Sequence, residues 1–68
     1  MITQKELFAA VRALGLAITV QDGEYRITLR ADVQPDSARR EAVACYTDDR
    51  EDALATARAL AAHYGVAP

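Results

Sequence analysis

The segment LAITVQDGEYRITLR, residues 16–30, decides the fold. Apolar and polar residues alternate from Leu16 to Gln21 and again from Tyr25 to Arg30, which is typical of half-buried β-strands. Between them, Asp22 and Gly23 favour the positive φ angles of a type I′ turn, so the segment predicts a β-hairpin. Its core face carries Leu16, Ile18, Val20, Tyr25, Ile27 and Leu29, and its opposite face, expected to contact solvent, carries Thr19, Gln21, Glu24, Arg26, Thr28 and Arg30.

A complete helix start precedes the hairpin. Thr3 can accept a hydrogen bond from the Glu6 amide while the Glu6 carboxylate accepts one from the Thr3 amide, and Ile2 can pack on Leu7. Gly15 is placed to end the helix in a left-handed conformation. We therefore predict an amphipathic helix of about three turns that starts at Thr3.

The acidic segment DDRED, residues 48–52, precedes an alanine-rich run and is interpreted as the start of a second helix. Thr47 or Asp48 is a suitable N-cap, and acids in a first helical turn are stabilised by about 0.3–1 kcal/mol each by the helix dipole. Gly65 and Val66 are placed to form a Schellman motif at the other end. The predicted inner face carries Ala53, Leu54, Ala57, Leu60, Ala61 and Tyr64.

The region between the hairpin and the second helix is less regular. Residues 31–40, ADVQPDSARR, have no period and predict a loop. Residues 41–46, EAVACY, predict a third strand in which either Val43 and Cys45 point inward or Ala42, Ala44 and Tyr46 do; we favour the first register. The predicted fold is α+β in the order α-β-β-β-α, a three-stranded antiparallel meander with two helices packed on one face, forming one domain over residues 1–68.

Composition restricts the class of protein. A chain of 68 residues has a small core, because a domain of this size buries only about 60% of the surface of its unfolded form. The net charge of -2 is too near neutral to indicate electrostatic capture of nucleic acid or of a membrane. A single cysteine, Cys45, fits a reducing compartment, and neither a signal peptide nor a membrane-spanning run is evident. We expect a cytoplasmic protein.

No residue pattern indicates catalysis, a cofactor or a metal. The acids of residues 48–52 lack the alternating oxygen ligands and central glycine of a calcium loop. His63 and Cys45 have no local motif of a nucleophilic pair, and the three glycines lie at helix ends and in the turn rather than in a phosphate-binding loop. We therefore expect no enzymatic activity, no cofactor and no metal site.

The open face of the sheet supplies the candidate partner-binding residues. Arg26, Thr28 and Arg30 alternate on it, and Arg39 and Arg40 end the predicted loop beside it. Arginine is enriched at interfaces and can hold a partner's carboxylates by forked hydrogen bonds. A solvated antiparallel face is the plainer interpretation, and nucleic-acid binding through the four arginines is the alternative function.

Two further surfaces could support self-association. The first strand, Leu16 to Gln21, is expected at a sheet edge and contains no charge or proline to block pairing with a second copy, so we predict a homodimer through this edge. Ala55, Ala59 and Ala62 form a small-residue stripe that could admit a partner helix, although alanine's helix propensity explains it as well.

The α-β-β-β-α order resembles the double-stranded-RNA-binding-domain fold. Members of that family start their second helix with lysines that bind phosphate and have a longer first hairpin loop. Here residues 48–52 are acidic and the hairpin loop is only Asp22-Gly23, so the resemblance implies the fold and not RNA binding. Residues 46–54, YTDDREDAL, resemble small proteins encoded by phages and prophages of proteobacteria. That resemblance implies an accessory protein without a defined activity. Together with the lack of a catalytic pattern, it leads us to expect a small non-enzymatic protein–protein interaction module that modulates a host or phage protein, including proteins of host defence.

Overall fold

The chain folds as α1 (Gln4–Ala13), β1 (Leu16–Gln21), β2 (Glu24–Leu29), α2 (Ser37–Ala42), β3 (Cys45–Thr47) and α3 (Arg50–Tyr64). The computed structural model describes residues 1–66. The strands form one antiparallel sheet in the order β1-β2-β3, and α1 and α3 contact each other and the same side of it. The predicted α+β fold, with its order α-β-β-β-α, is confirmed, and α2 is a short addition between β2 and β3.

The hairpin forms as its sequence predicts. Asp22 and Gly23 have φ angles of 53° and 78°, both positive as a type I′ turn requires. Ile18 is paired with Ile27 at the middle of the β1–β2 ladder.

The core lies between the sheet and the two long helices. Burial along β1 stops after Ile18, so Val20 at the hairpin end is 38% exposed although it was predicted to face the core. The other five predicted core residues of the hairpin are buried with side chains from both helices, and the full set is Leu7, Val11, Leu16, Ile18, Tyr25, Ile27, Leu29, Ala53, Ala57, Leu60 and Ala61.

Local hydrogen bonds define the ends of both long helices. Thr3 and Glu6 form the reciprocal capping box of α1. The N-cap of α3 is Asp49 rather than Thr47 or Asp48, because the Asp49 carboxylate accepts hydrogen bonds from backbone amides of the first turn. The Thr47 hydroxyl instead accepts a hydrogen bond from the Asp49 amide. At the other end, the Val66 amide donates to the Ala61 carbonyl, which confirms the Schellman motif.

The prediction of a loop over residues 31–40 is wrong from Ser37 onward. Asp36 accepts hydrogen bonds from the amides of Ala38 and Arg39 and starts α2 there. As a result the third strand begins only at Cys45. Cys45 pairs with the core residue Ile27, so the favoured inward register of Cys45 is confirmed.

Candidate interaction surface

The short helix α2 covers part of the sheet face that was expected to be open. Thr28 of β2 is only 2% exposed, and its hydroxyl donates a hydrogen bond of 2.5 Å to the Arg40 carbonyl of α2. The expectation that Thr28 contacts solvent is therefore wrong. Because the residue lies under α2, it cannot contact a partner unless α2 moves.

A cluster of three polar side chains lies on the uncovered part of this face. Arg26 and Tyr46 are directly opposite each other in the β2–β3 ladder, and Glu41 reaches them from α2. The Arg26 Nε donates to Glu41 Oε2 at 3.2 Å, and the Tyr46 hydroxyl donates to the same oxygen at 2.7 Å. One carboxylate thus fixes the orientation of both the guanidinium and the phenol.

This cluster changes the acidity of its members. The hydrogen bond from Tyr46 lowers the pKa of the Glu41 carboxyl, desolvation opposes that shift, and Arg26 lowers the pKa further. The same bond raises the pKa of the Tyr46 hydroxyl. Glu41 is therefore held as a carboxylate and Tyr46 as a neutral phenol at neutral pH.

The other predicted partner-binding arginines do not join this cluster. Arg30 follows the far end of β2, where its Nε bonds Asp32 at 3.1 Å. On α2, the Arg39 guanidinium lies 3.7 Å from the Asp36 carboxylate, while the Arg40 guanidinium donates to the Gln34 carbonyl at 2.7 Å. Each of these arginines has a partner within the chain, so the structure separates the predicted set into distinct local pairs.

An open concavity of about 580 Å³ surrounds the cluster at the hairpin end of the sheet. Three of its side chains are carboxylates and only one is a guanidinium, which makes its local charge negative. Tyr46 is 50% exposed and is its only aromatic side chain. The lining residues are Thr19, Gln21, Asp22, Glu24, Arg26, Glu41 and Tyr46.

Sequence reasoning missed Glu41 and Tyr46 as members of the surface. A signal for Tyr46 existed, because the register that turns Cys45 inward necessarily turns its neighbour Tyr46 to the face of Arg26. No comparable signal existed for Glu41. It was assigned to the third strand, and its contacts depend on a helix that the sequence did not reveal.

The remaining chemistry-bearing side chains have local structural contacts. The Glu51 carboxylate at the start of α3 accepts a hydrogen bond from the Ile2 amide at 3.0 Å, so it connects α3 to the N-terminal segment. His63 is exposed and packs edge-on against Tyr64, and the Cys45 thiol points to the Val43 carbonyl. Within residues 1–66, no hydrogen bond joins Cys45 to His63 and no cluster of side chains could hold a metal ion.

No family model, curated protein or solved structure matches the chain. The resemblances to the double-stranded-RNA-binding domain and to phage proteins stay predictions. None of the helices in residues 1–66 has the length and apolar character needed to span a bilayer.

Proposed function

We propose that the chain is a small non-enzymatic protein–protein interaction module whose contact surface is the concavity around Arg26 and Tyr46. The observation that carries the proposal is a half-exposed tyrosine whose hydroxyl is bonded to Glu41, next to an arginine bonded to the same carboxylate. Tyrosine and arginine dominate the binding energy of protein interfaces. Because both side chains are already oriented by Glu41, they would lose less conformational entropy when a partner binds.

The charge of the concavity favours a basic segment of the partner. The carboxylates of Asp22, Glu24 and Glu41 outnumber the single guanidinium of Arg26, which is itself paired with Glu41. A lysine or arginine of the partner would reduce this excess of negative charge, whereas an incoming carboxylate would increase it. The arginine pattern of the sequence suggested a partner with carboxylates. The charge of the concavity instead favours a basic partner.

Nucleic-acid binding is supported less well. All four arginines that would carry it have partners within the chain. Arg26 and Arg30 are bonded to Glu41 and Asp32. Arg39 forms an ion pair with Asp36, and Arg40 donates to the Gln34 carbonyl. Binding phosphate would require these contacts to be exchanged, and the carboxylate-rich concavity on the same face repels phosphate.

The identity of the partner is proposed from the sequence resemblance alone. Residues 46–54 resemble phage and prophage proteins, which favours a bacterial host or phage protein as the partner, proteins of host defence included. Within this proposal the module acts in the cytoplasm, where its unpaired Cys45 would stay reduced.

The proposal is tested with short peptides of opposite charge and ¹⁵N-labelled protein at about 0.15 M salt, where long-range attraction is screened. We expect an oligolysine peptide to shift the amides of residues 19–26 and 41–47 and an oligoglutamate peptide to leave them unchanged. Tyr46→Ala should weaken oligolysine binding several-fold. Tyr64→Ala is the matched control, because Tyr64 is 44% exposed but lies on α3.

Two results would contradict the proposal. Shifts confined to residues 48–52 would move the binding surface to the acidic start of α3. Binding of a short oligonucleotide that weakens steeply with salt, together with no response to oligolysine, would favour the nucleic-acid alternative.

A further inference from the structure

The outward side of α1 has a second concavity, which has an aromatic floor. Its volume is about 400 Å³, and its lining residues are Gln4, Lys5, Phe8, Ala9 and Arg12. Phe8 is partly buried, and its ring meets the Tyr25 ring edge-on at a centroid distance of 6.3 Å. The exposed Ala9 contributes only a methyl group, so space remains between the longer side chains around it. The floor is therefore apolar, fixed by the core and open to solvent.

The local charge of this concavity is positive. Lys5 and Arg12 are exposed, and within residues 1–66 neither forms an ion pair, although three arginines elsewhere in the chain do. Glu6 is the acid of α1, and its carboxylate is bonded to the Thr3 amide at the helix start. Among the described residues no carboxylate lines the concavity. The two cations are therefore available to an acidic ligand.

A cation–π contact positions Arg12. Its guanidinium carbon lies 5.5 Å from the centroid of the Phe8 ring, within the range of such contacts. A guanidinium held over a ring still has N–H donors in its own plane, and these can bind a carboxylate through two parallel hydrogen bonds. Phe8 thus supplies part of the apolar floor and also orients the cation beside it.

We propose that this side of α1 binds an acidic amphipathic helix of a partner protein, with an apolar side chain in the concavity and carboxylates bonded to Lys5 and Arg12. These two cations are seven residues apart, which is two helical turns and about 10.5 Å. Phe8 and Ala9 lie one turn from each of them on the same side. A partner helix with acids at i and i+7 and a leucine at i+3 or i+4 has the same spacing. The small Ala9 lets the two helix axes approach to the usual distance of about 8–10 Å.

The same features disfavour a nucleic acid as the occupant. Single strands bind where bases stack on aromatic rings and several cations follow the backbone. Here Arg12 lies over the Phe8 ring, so a base cannot stack on that face without displacing it. Two cations also make few phosphate contacts. An acidic peptide with an apolar side chain uses both the charge and the apolar floor.

This second surface goes beyond the proposed function because it faces away from the first one. α1 packs on the core side of the sheet, whereas the concavity around Arg26 and Tyr46 lies on the opposite side with α2. The two surfaces also have opposite local charges. The chain can therefore hold two partners at once, a basic segment on the sheet face and an acidic helix on α1.

The proposal is tested with a helical peptide based on alanine and glutamine that has two glutamates seven positions apart and one leucine midway. Titrated into ¹⁵N-labelled protein, it should shift the amides of residues 4–13. Arg12→Glu should raise its dissociation constant at least fivefold. Arg58→Glu is the matched control, because Arg58 is an exposed residue of α3 and the change in net charge is the same. Equal losses for the two variants, or no shifts in residues 4–13, would overturn the proposal.

The geometry is tested by a second peptide and a second pair of variants. Moving one glutamate from i+7 to i+5 keeps the charge of the peptide but turns the carboxylate to the far side of its helix, so binding should weaken several-fold. Ala9→Gln fills the concavity and should weaken binding, whereas Ala59→Gln on the exposed side of α3 should not. Equal binding of the two peptides would overturn the helical partner, and an oligonucleotide that shifts residues 4–13 while the peptide does not would overturn the acidic one. These results do not involve the concavity around Arg26 and Tyr46, so failure here is distinct from failure of the proposed function.

Discussion

The helices α3 and α2 lie on opposite faces of one sheet and are stabilised in different ways. α3 has 15 residues and buries Ala53, Ala57, Leu60 and Ala61 against the core. α2 has six residues, none of them buried, and is held to the sheet by the hydrogen bond from Thr28 and the contacts of Glu41. Apolar burial therefore stabilises one face of the sheet, and a few polar contacts stabilise the other.

The difference predicts unequal local stability. A hydrogen bond contributes about 0.5–1.5 kcal/mol net and an exposed ion pair about 0–1 kcal/mol, far less than an apolar face that excludes water. Segments held in this way open locally without unfolding the whole domain. We expect α2 to open on its own, whereas α3 should lose its structure only when the domain unfolds.

The largest effect is expected on the face covered by α3. Ile27 is fully buried in the middle strand, so Ile27→Ala should lower the free energy of unfolding by about 2–5 kcal/mol. Val33→Ala, at a 50% exposed residue ahead of α2, should change it by less than about 0.5 kcal/mol. Chemical denaturation measures both. If Ile27→Ala does not fold, Ile27→Val should still cost about 0.5–1.5 kcal/mol, and a neutral Ile27→Val would contradict this account of the core.

The two helix N-caps give a matched pair of variants of intermediate effect. Asp49 and Asp36 each accept two backbone amides, at the start of α3 and α2 respectively. Asp49→Ala should lower the free energy of global unfolding by about 0.5–2 kcal/mol. Asp36→Ala should leave global unfolding nearly unchanged and accelerate amide exchange only in residues 38–43. If both variants lowered the free energy of global unfolding equally, α2 would unfold together with the core. The two helices would then not differ in local stability.

A smaller effect is expected from the hydrogen bond between the sheet and α2. Thr28→Val keeps the shape of the side chain but removes the hydroxyl that donates to the Arg40 carbonyl. The stability of α2, measured by native-state hydrogen exchange, should fall by about 0.5–1.5 kcal/mol. Exchange in β1 and α3 should not change, and loss of protection there would mean that Thr28 also supports the core.

The smallest effect is expected from acidification. The pKa of Glu41 is lowered in the folded state, first by the hydrogen bond from Tyr46 and then by Arg26. Its stabilisation of α2 is therefore fully present above the ordinary glutamate value of 4.5 and is lost as pH falls through the lower folded pKa.

The variant Glu41→Gln separates the effect of the Glu41 carboxylate on α2 from the other effects of acidification. The pKa of Glu6 is also lowered, by its hydrogen bonds with Thr3, so acid weakens the start of α1 as well. Protection factors in α2 should fall on acidification in the parent protein. In Glu41→Gln they should be lower at neutral pH and nearly independent of pH, while the response of α1 stays the same. An unchanged pH response of α2 in Glu41→Gln would exclude this carboxylate as its cause.

The sequence by itself determined the elements whose signals are local. Alternation and the Asp22-Gly23 turn define the hairpin, because the turn geometry fixes the register and the register fixes which side chains face the core. The capping box at Thr3 and the left-handed Gly65 mark helix ends with hydrogen bonds between residues close in the chain. The fold class, most of the core and the ends of α1 and α3 follow from such signals. Val20 and Tyr64 are the exceptions in the core, because both were predicted to face inward and are 38% and 44% exposed.

Only the tertiary structure decided the composition of the open face. A helix of six residues with no apolar period is too short to be stable alone, so residues 37–42 become helical because Thr28 and Arg26 of a distant strand bond Arg40 and Glu41. Those bonds bury Thr28 and bring Glu41 to Tyr46. Hydrogen bonds between residues far apart in the chain leave no periodic pattern in the sequence, which is why Arg26 and Glu24 could be predicted on this face but Glu41 could not.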